Sequence, residues 1–175
     1  MTVLVLSDSH GRSDLISKAV ELCRDADALL HLGDGYKDVK YSGFPEDKCF
    51  FVRGNGEDWL VNAANDIPRE RLLDFEGVKI LMLHGHRPYN MKSPADFERM
   101  VAYAAEKGAD VLLFGHTHNT FNKTFVKGRI VCGKPLEKNI TAFNPGSVGE
   151  PRFEENSFGV LTIRDGVPFL SHGEI

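Results

Sequence analysis

Seven side chains in this sequence have the chemistry to hold divalent cations: Asp8, His10, Asp34, Asn55, His84, His116 and His118. Carboxylate, imidazole and amide oxygen suit Mn²⁺, Fe²⁺, Co²⁺, Ni²⁺ or Zn²⁺, and the lack of thiolates among them argues against a structural zinc. Taken singly, each segment has an ordinary explanation. Asp8-Ser9-His10 and Gly33-Asp34 read as loop or cap residues, Asn55 as a turn residue, and a lone histidine on an apolar strand as a satisfied core residue. Their shared placement argues otherwise. Each lies just past the carboxyl end of an apolar run, the edge where ligands bind in layered α/β proteins. Chance does not account for four polar clusters at such ends in this order.

The elements that must position these residues follow from the hydrophobic pattern. Residues 2–7 form an apolar run bounded by polar residues, as a buried parallel strand requires. Ser13 reads as an N-cap, after which Leu15, Ile16, Ala19, Val20, Leu22 and Cys23 recur at helical spacing. Strands are expected over 28–32 and 48–52, and a hairpin over 69–75 and 78–83 around Glu76-Gly77. A helix over 94–107 carries Phe97, Met100, Val101, Ala104 and Ala105 on one face. A strand over 111–114 leads into Gly115-His116-Thr117-His118, and strands alone follow over 120–126, 129–132, 140–143, 158–163 and 167–170. Strand-helix units followed by strands predict an α/β fold of two packed mixed β-sheets flanked by helices, a four-layer αββα sandwich. With no linker or low-complexity segment, residues 1–175 read as a single domain that begins at the N-terminus.

The order Asp8-x-His10, Gly33-Asp34, Gly54-Asn55, His84, Gly115-His116-x-His118 resembles the calcineurin-like metallophosphoesterases, and is most similar to their compact bacterial and archaeal phosphodiesterase branch. The match runs from about residue 7 to about residue 150, and Asn144-Pro145-Gly146-Ser147 with Pro151-Arg152 resembles the end of that branch's domain. The resemblance implies one metal on Asp8, His10 and His118, a second on Asn55, His84 and His116, and Asp34 bridging both. It implies Mn²⁺ first, with Fe, Ni, Co or Zn as alternatives. In such a centre a hydroxide shared by ions roughly 3.5–4 Å apart attacks phosphorus in line, while the metals and Asn55, as a catalytic residue, offset charge on the phosphoryl oxygens. Two dications outweigh Asp8, Asp34 and a hydroxide, so the site stays net positive and attracts a phosphate ester.

One position departs from the pattern. Many superfamily members carry a histidine directly after the Gly-Asn pair, where this chain has Gly56. A general acid contributes ~10²–10⁴-fold, so its absence penalises alkyl monoesters more than aryl esters and diesters. His86 is the nearest histidine able to substitute as a catalytic group; its other reading is a supporting or surface histidine. Glu57 and Asp58 qualify only with raised pKa values. His31 is expected to pack or hydrogen-bond, His172 to have no catalytic part, and Arg12 and Arg152 to touch phosphate or simply be solvated.

The bulk numbers bound the remaining possibilities. The chain has 175 residues, 42% hydrophobic and 26% charged, with a net charge of −4. The acidic balance and the lack of a basic, aromatic-studded groove argue against a nucleic-acid polymer as partner. No apolar run reaches membrane-spanning length, and no basic segment precedes the first apolar run. Cys23, Cys49 and Cys132 show no metal or redox spacing and read as reduced, mostly buried thiols of a cytoplasmic protein. Trp59 and Leu60 are candidates for a homo-oligomer contact. The expectation is a phosphodiesterase acting on a small phosphate ester. The alternatives are a phosphomonoesterase or a protein-interaction scaffold on the same fold, like the retromer subunit with its degraded metal site; the seven competent positions here favour an enzyme.

Overall fold

The computed structural model describes residues 1–58, 66–89 and 93–175. In chain order its elements are β1 (Thr2–Leu6), α1 (Ser13–Leu22), β2 (Ala28–His31), β3 (Cys49–Phe51), α2 (Asn55–Asp58), β4 (Glu70–Phe75), β5 (Val78–Leu83), α3 (Pro94–Glu106), β6 (Val111–Leu113), β7 (Thr120–Phe125), β8 (Ile130–Val131), β9 (Lys134–Pro135), β10 (Ile140–Pro145), β11 (Ser157–Arg164) and β12 (Val167–Glu174). Two short 3-10 helices, Tyr36–Tyr41 and Glu46–Lys48, lie between β2 and β3.

Two mixed five-stranded sheets result, ordered β12-β11-β1-β2-β3 and β4-β5-β6-β10-β7. In the first, β1 pairs in parallel with β2 and β2 with β3; in the second, β5 pairs in parallel with β6. Side-chain alternation builds the layers. Val3 and Val5 of β1 join Ile80 and Met82 of β5 in the core between the sheets. Leu4 and Leu6 point the other way and pack with Leu15, Ile16 and Ala19 of α1, while Leu81 and Leu83 pack with Met100, Val101 and Ala104 of α3. Strands buried on both faces need an unbroken apolar sequence, which is why these runs show no polar alternation. The expected α/β sandwich with outer helices is the observed one.

The hairpin joining β4 and β5 turns at Glu76 (φ 52°) and Gly77 (φ 82°), and the one joining β11 and β12 at Asp165 (φ 52°) and Gly166 (φ 73°). Both are two-residue turns with consecutive positive φ values, the geometry that matches strand twist. Helix α3 begins with a capping box: Ser93 Oγ accepts from the Asp96 amide and the Asp96 side chain accepts from the Ser93 amide, with Pro94 in the first turn.

Several local expectations are corrected. Ser13 is the first residue of α1 rather than its N-cap; Arg12 holds that position and makes no side-chain cap bond. Strand β12 continues to Glu174 because its polar second half pairs with β11 through the backbone. The cysteines are free thiols as expected, but Cys23 and Cys49 are half-buried and Cys132 is exposed. No described helix is long and apolar enough to cross a membrane. Trp59 and Leu60 lie outside the described residues.

Candidate metal centre

Five parallel strands from both sheets aim their carboxyl ends at one edge of the sandwich. Asp8 and His10 follow β1, Asp34 follows β2, Asn55 opens α2 after β3, His84 follows β5, and His116 and His118 follow β6. Backbone hydrogen bonds stitch the strand ends together: the Asp8 amide to the Gly33 carbonyl at 3.0 Å, His10 to Asp34 at 3.2 Å, Gly115 to His84 at 3.0 Å and Gly149 to Asp8 at 3.1 Å. The turns are tight enough that Asp8, His10, Asp34, His116 and His118 all hold left-handed backbone, with φ between 45° and 68°. Such conformations are uncommon outside glycine and gather at functional sites. Gly54 shows how closely the loops approach, since a Cβ there would lie 2.1 Å from Asp34 Oδ1.

The side chains converge as two overlapping groups, Asp8 with His10 and His118, and Asp8 with Asp34 and His84. Asp8 is common to both. Asn55 Oδ1 lies 3.1 Å from His84 Nε2, which is itself 3.5 Å from Asp34 Oδ2. The His116 ring packs 5.2 Å from that of His84, and its backbone amide donates to Asp8 Oδ2 at 3.0 Å. His84 Nδ1 donates to the Leu32 carbonyl and His118 Nδ1 to that of Glu150. A carbonyl can only accept, so in both rings Nε2 is the nitrogen left to face the centre.

Asp8 Oδ1 is fully buried and has no hydrogen bond among the described residues, although His118 Nε2 stands 3.2 Å away and the Nε2 atoms of His10 and His84 each 3.9 Å away. A buried carboxylate oxygen without a partner is costly. Burial discourages charge on Asp34, yet the hydrogen bond and charge of His84 and the Gly56 amide bring it to about 2. Burial likewise opposes a proton on His84, but Asp8 and Asp34 push it up to about 9. Burial opposes charge on Asp8 as well, but the charge of His84, the neighbouring His118 and the Ser7 hydroxyl together lower it overall. The pocket thus holds two ionised carboxylates that demand positive charge, together with imidazole nitrogens oriented toward them. That donor set fits a divalent cation.

The surrounding residues settle other expectations. Glu57 is buried and accepts the backbone amides of Asp34, Gly35 and Gly54, so it is not a free acid. Asp58 falls below the usual carboxylate range: burial opposes this, but the hydrogen bond to His86 and the charge of Arg69 prevail. His86 is buried against His84, with ring centroids 5.2 Å apart; its Nε2 is 3.0 Å from Asp58 Oδ2 and its Nδ1 has no partner among the described residues. Arg12 forms a two-pronged pair with Asp14, and Arg152 is exposed. His31 is fully buried, 3.3 Å from Ser9 Oγ, and burial lowers it to about 4. His172 stacks on Phe143 and bonds the Asn144 carbonyl. Sequence reasoning missed Ser7, whose hydroxyl donates to Asp8 Oδ2, and the roles of Asn144 and Ser147, which brace the Gly115 and Asp8 carbonyls. The motif 144–147 was visible, but the carbonyls it reaches are far away in sequence.

Comparison with known proteins agrees with this geometry. The family model for the calcineurin-like phosphoesterase superfamily domain matches residues 1–166. The probable metallophosphoesterase YsnB of Bacillus subtilis is 30% identical, over 94% of this chain and 86% of its own. An archaeal phosphodiesterase structure superposes with a TM-score of 0.67 at 20% identity, covering 98% of this chain and 99% of its own. Vps29 of Chaetomium thermophilum superposes with a TM-score of 0.70 at 16% identity, covering 100% and 95%. At those identities the two structures speak for the fold alone. The family match over nearly the whole chain, joined to a carboxylate–imidazole pocket at the strand ends, places this chain in the calcineurin-like phosphoesterase superfamily, a family of metal-binding hydrolases of phosphoester bonds.

Proposed function

We propose that the chain is a phosphodiesterase that holds two divalent ions, Mn²⁺ first and Fe, Ni, Co or Zn as alternatives, and acts on small phosphate esters. The observation that carries this is the pair of ligand groups meeting at Asp8. One ion would sit on Asp8, His10 and His118, the other on Asn55, His84 and His116, with Asp34, and from its position also Asp8, between them. When bound, such ions supply Lewis acidity that polarises the phosphoryl group and acidifies water.

The chain's own residues would do the rest. His84 and His118, pinned through Nδ1, present Nε2 in a set direction. Asn55 faces His84 through Oδ1, which leaves its amide nitrogen as the end that can donate to a phosphoryl oxygen. Asp58 holds His86 by Nε2 beside the His84 ring, where the imidazole would support His84 and could act on the leaving group only if its buried Nδ1 became exposed. Neither Glu57 nor Asp58 is placed to give up a proton, which supports diesters and activated aryl esters over alkyl monoesters. The resemblance in fold to Vps29 does not favour a scaffold, since all seven candidate positions carry ligand-type residues and Asp8, His10, Asp34, His84 and His118 gather into two overlapping groups. The match over residues 1–166 supports reading the chain as one domain, and the three free thiols suit the cytoplasm.

The test is turnover of bis(p-nitrophenyl) phosphate by chelator-stripped protein titrated with Mn²⁺. Activity should be absent at the start and rise until two equivalents are taken up, and p-nitrophenyl phosphate should be the poorer substrate. Full turnover without metal would end the reading, and a strong monoester preference would replace diesters by monoesters.

A further inference from the structure

We infer that Glu57 is a positioning residue that sets the metal affinity of the Asp34–His84 side of the centre, by clamping the β2 and β3 loops to each other. The inference rests on the two-ion reading above. Glu57 is 5% exposed and lies on α2, the single turn that follows β3. Its Oε2 accepts the Asp34 amide at 2.8 Å and the Gly54 amide at 2.6 Å, and its Oε1 accepts the Gly35 amide at 2.7 Å. Among the described residues no cation pairs with it, so backbone N–H dipoles carry its charge; bonds to an ionised acceptor are about twice as strong as neutral ones.

These three amides belong to two loops that each bring one candidate ligand. Asp34 and Gly35 come from the β2 loop, and Gly54 directly precedes Asn55 in the β3 loop. The Gly56 amide then returns to Asp34 Oδ1 at 2.7 Å. Asn55 is thus bracketed by two residues whose amides are tied to Glu57 and Asp34, and the spacing of Asn55 from Asp34 depends on that clamp. Asp8 and His118 are held differently, Asp8 by the Ser7 hydroxyl and the His116 amide and His118 by the Glu150 carbonyl. The two sides are linked by the bonds from the Asp8 amide to the Gly33 carbonyl and from the His10 amide to the Asp34 carbonyl.

Glutamine is the same size as glutamate but replaces one acceptor oxygen with a donor. In Glu57→Gln at least one of the three amides must face an N–H group, and the clamp loosens without a change in volume. Loss of a partner that orients ligands typically costs 10–100-fold in metal affinity. Calorimetric titration of stripped protein with Mn²⁺ should show two ions in the parent. In Glu57→Gln the weaker-held ion should bind about 10–100-fold less tightly, while the other, which shares only the bridging carboxylates with it, weakens clearly less. Thermal unfolding of the metal-free proteins should show that both fold. A second readout needs no variant: in the metal-free parent the amide protons of Asp34, Gly35 and Gly54 should exchange slowly by NMR and shift with one of two equivalents of Zn²⁺.

Two ions held with parental affinity in Glu57→Gln would overturn the inference and leave the two-ion reading standing. Equal weakening of both sites would also overturn it, since that is what a merely structural residue does. If the variant does not fold, the parent's amides decide, and free exchange at the three positions ends the proposal. A parent that takes up no metal would instead remove the two-ion reading, and this inference with it.

Discussion

At the scale of single residues the centre is defined by what surrounds Asp8. Its Oδ2 accepts the Ser7 hydroxyl and the His116 amide, whereas Oδ1 has three imidazole nitrogens around it and no hydrogen bond among the described residues. Asp8→Asn keeps the shape and removes the charge that both ligand groups share. It should reduce Mn²⁺-dependent turnover by at least about 100-fold, the upper end of what a mere supporting residue costs. Parallel metal titration and diester kinetics measure this, and near-parental values for both would be incompatible with a shared ligand. The left-handed backbone at Asp8, His10, Asp34, His116 and His118 belongs to this scale too. Aspartate and histidine tolerate positive φ better than most non-glycine residues, and the tight approach of neighbouring loops imposes it here.

At the scale of elements, the strands carry the candidate ligands and the helices seal the outer faces. Helix α3 buries Met100, Val101 and Ala104 against the second sheet and starts with the Ser93–Asp96 capping box. Ser93→Ala should cost about 1 kcal/mol, which for a chain of this size lowers Tm by roughly 2–4 °C. Diester turnover should be unchanged, because the cap lies apart from the strand ends; calorimetry and kinetics on the same preparation test both halves. Most elements were legible from hydrophobic period alone, including the hairpin with its Glu76-Gly77 turn. Helix α1 was placed correctly, but its cap was not, because serine is plausible both as a cap and as a first-turn residue. The second half of β12 escaped notice because Ser171, His172 and Gly173 carry no apolar alternation and are held by the ladder to β11.

At the scale of the whole molecule, the candidate ligands come from both sheets: Asp8, His10, Asp34 and Asn55 from one, His84, His116 and His118 from the other. A cation that bridges them binds only when the sheets are packed, so it must stabilise the fold. At a free Mn²⁺ concentration about 100 times Kd the gain is about 2.7 kcal/mol, or a rise in Tm of roughly 5–10 °C over stripped protein. A scan with and without metal measures it, and an unchanged Tm at saturating Mn²⁺ would contradict a centre built across the two sheets.

The amino-acid sequence by itself determined the candidate ligand residues, their placement at the ends of apolar runs and the layered class of the fold. These depend on local spacing and on residue chemistry, which are written along the chain. The tertiary structure alone decided that Glu57 accepts three amides rather than serving as an acid, that Asp58 holds His86 by one nitrogen, and that Ser147 reaches back 139 residues to the Asp8 carbonyl. Those contacts follow from sheet order and loop approach, and no local pattern specifies which distant backbone groups a buried carboxylate or hydroxyl will meet.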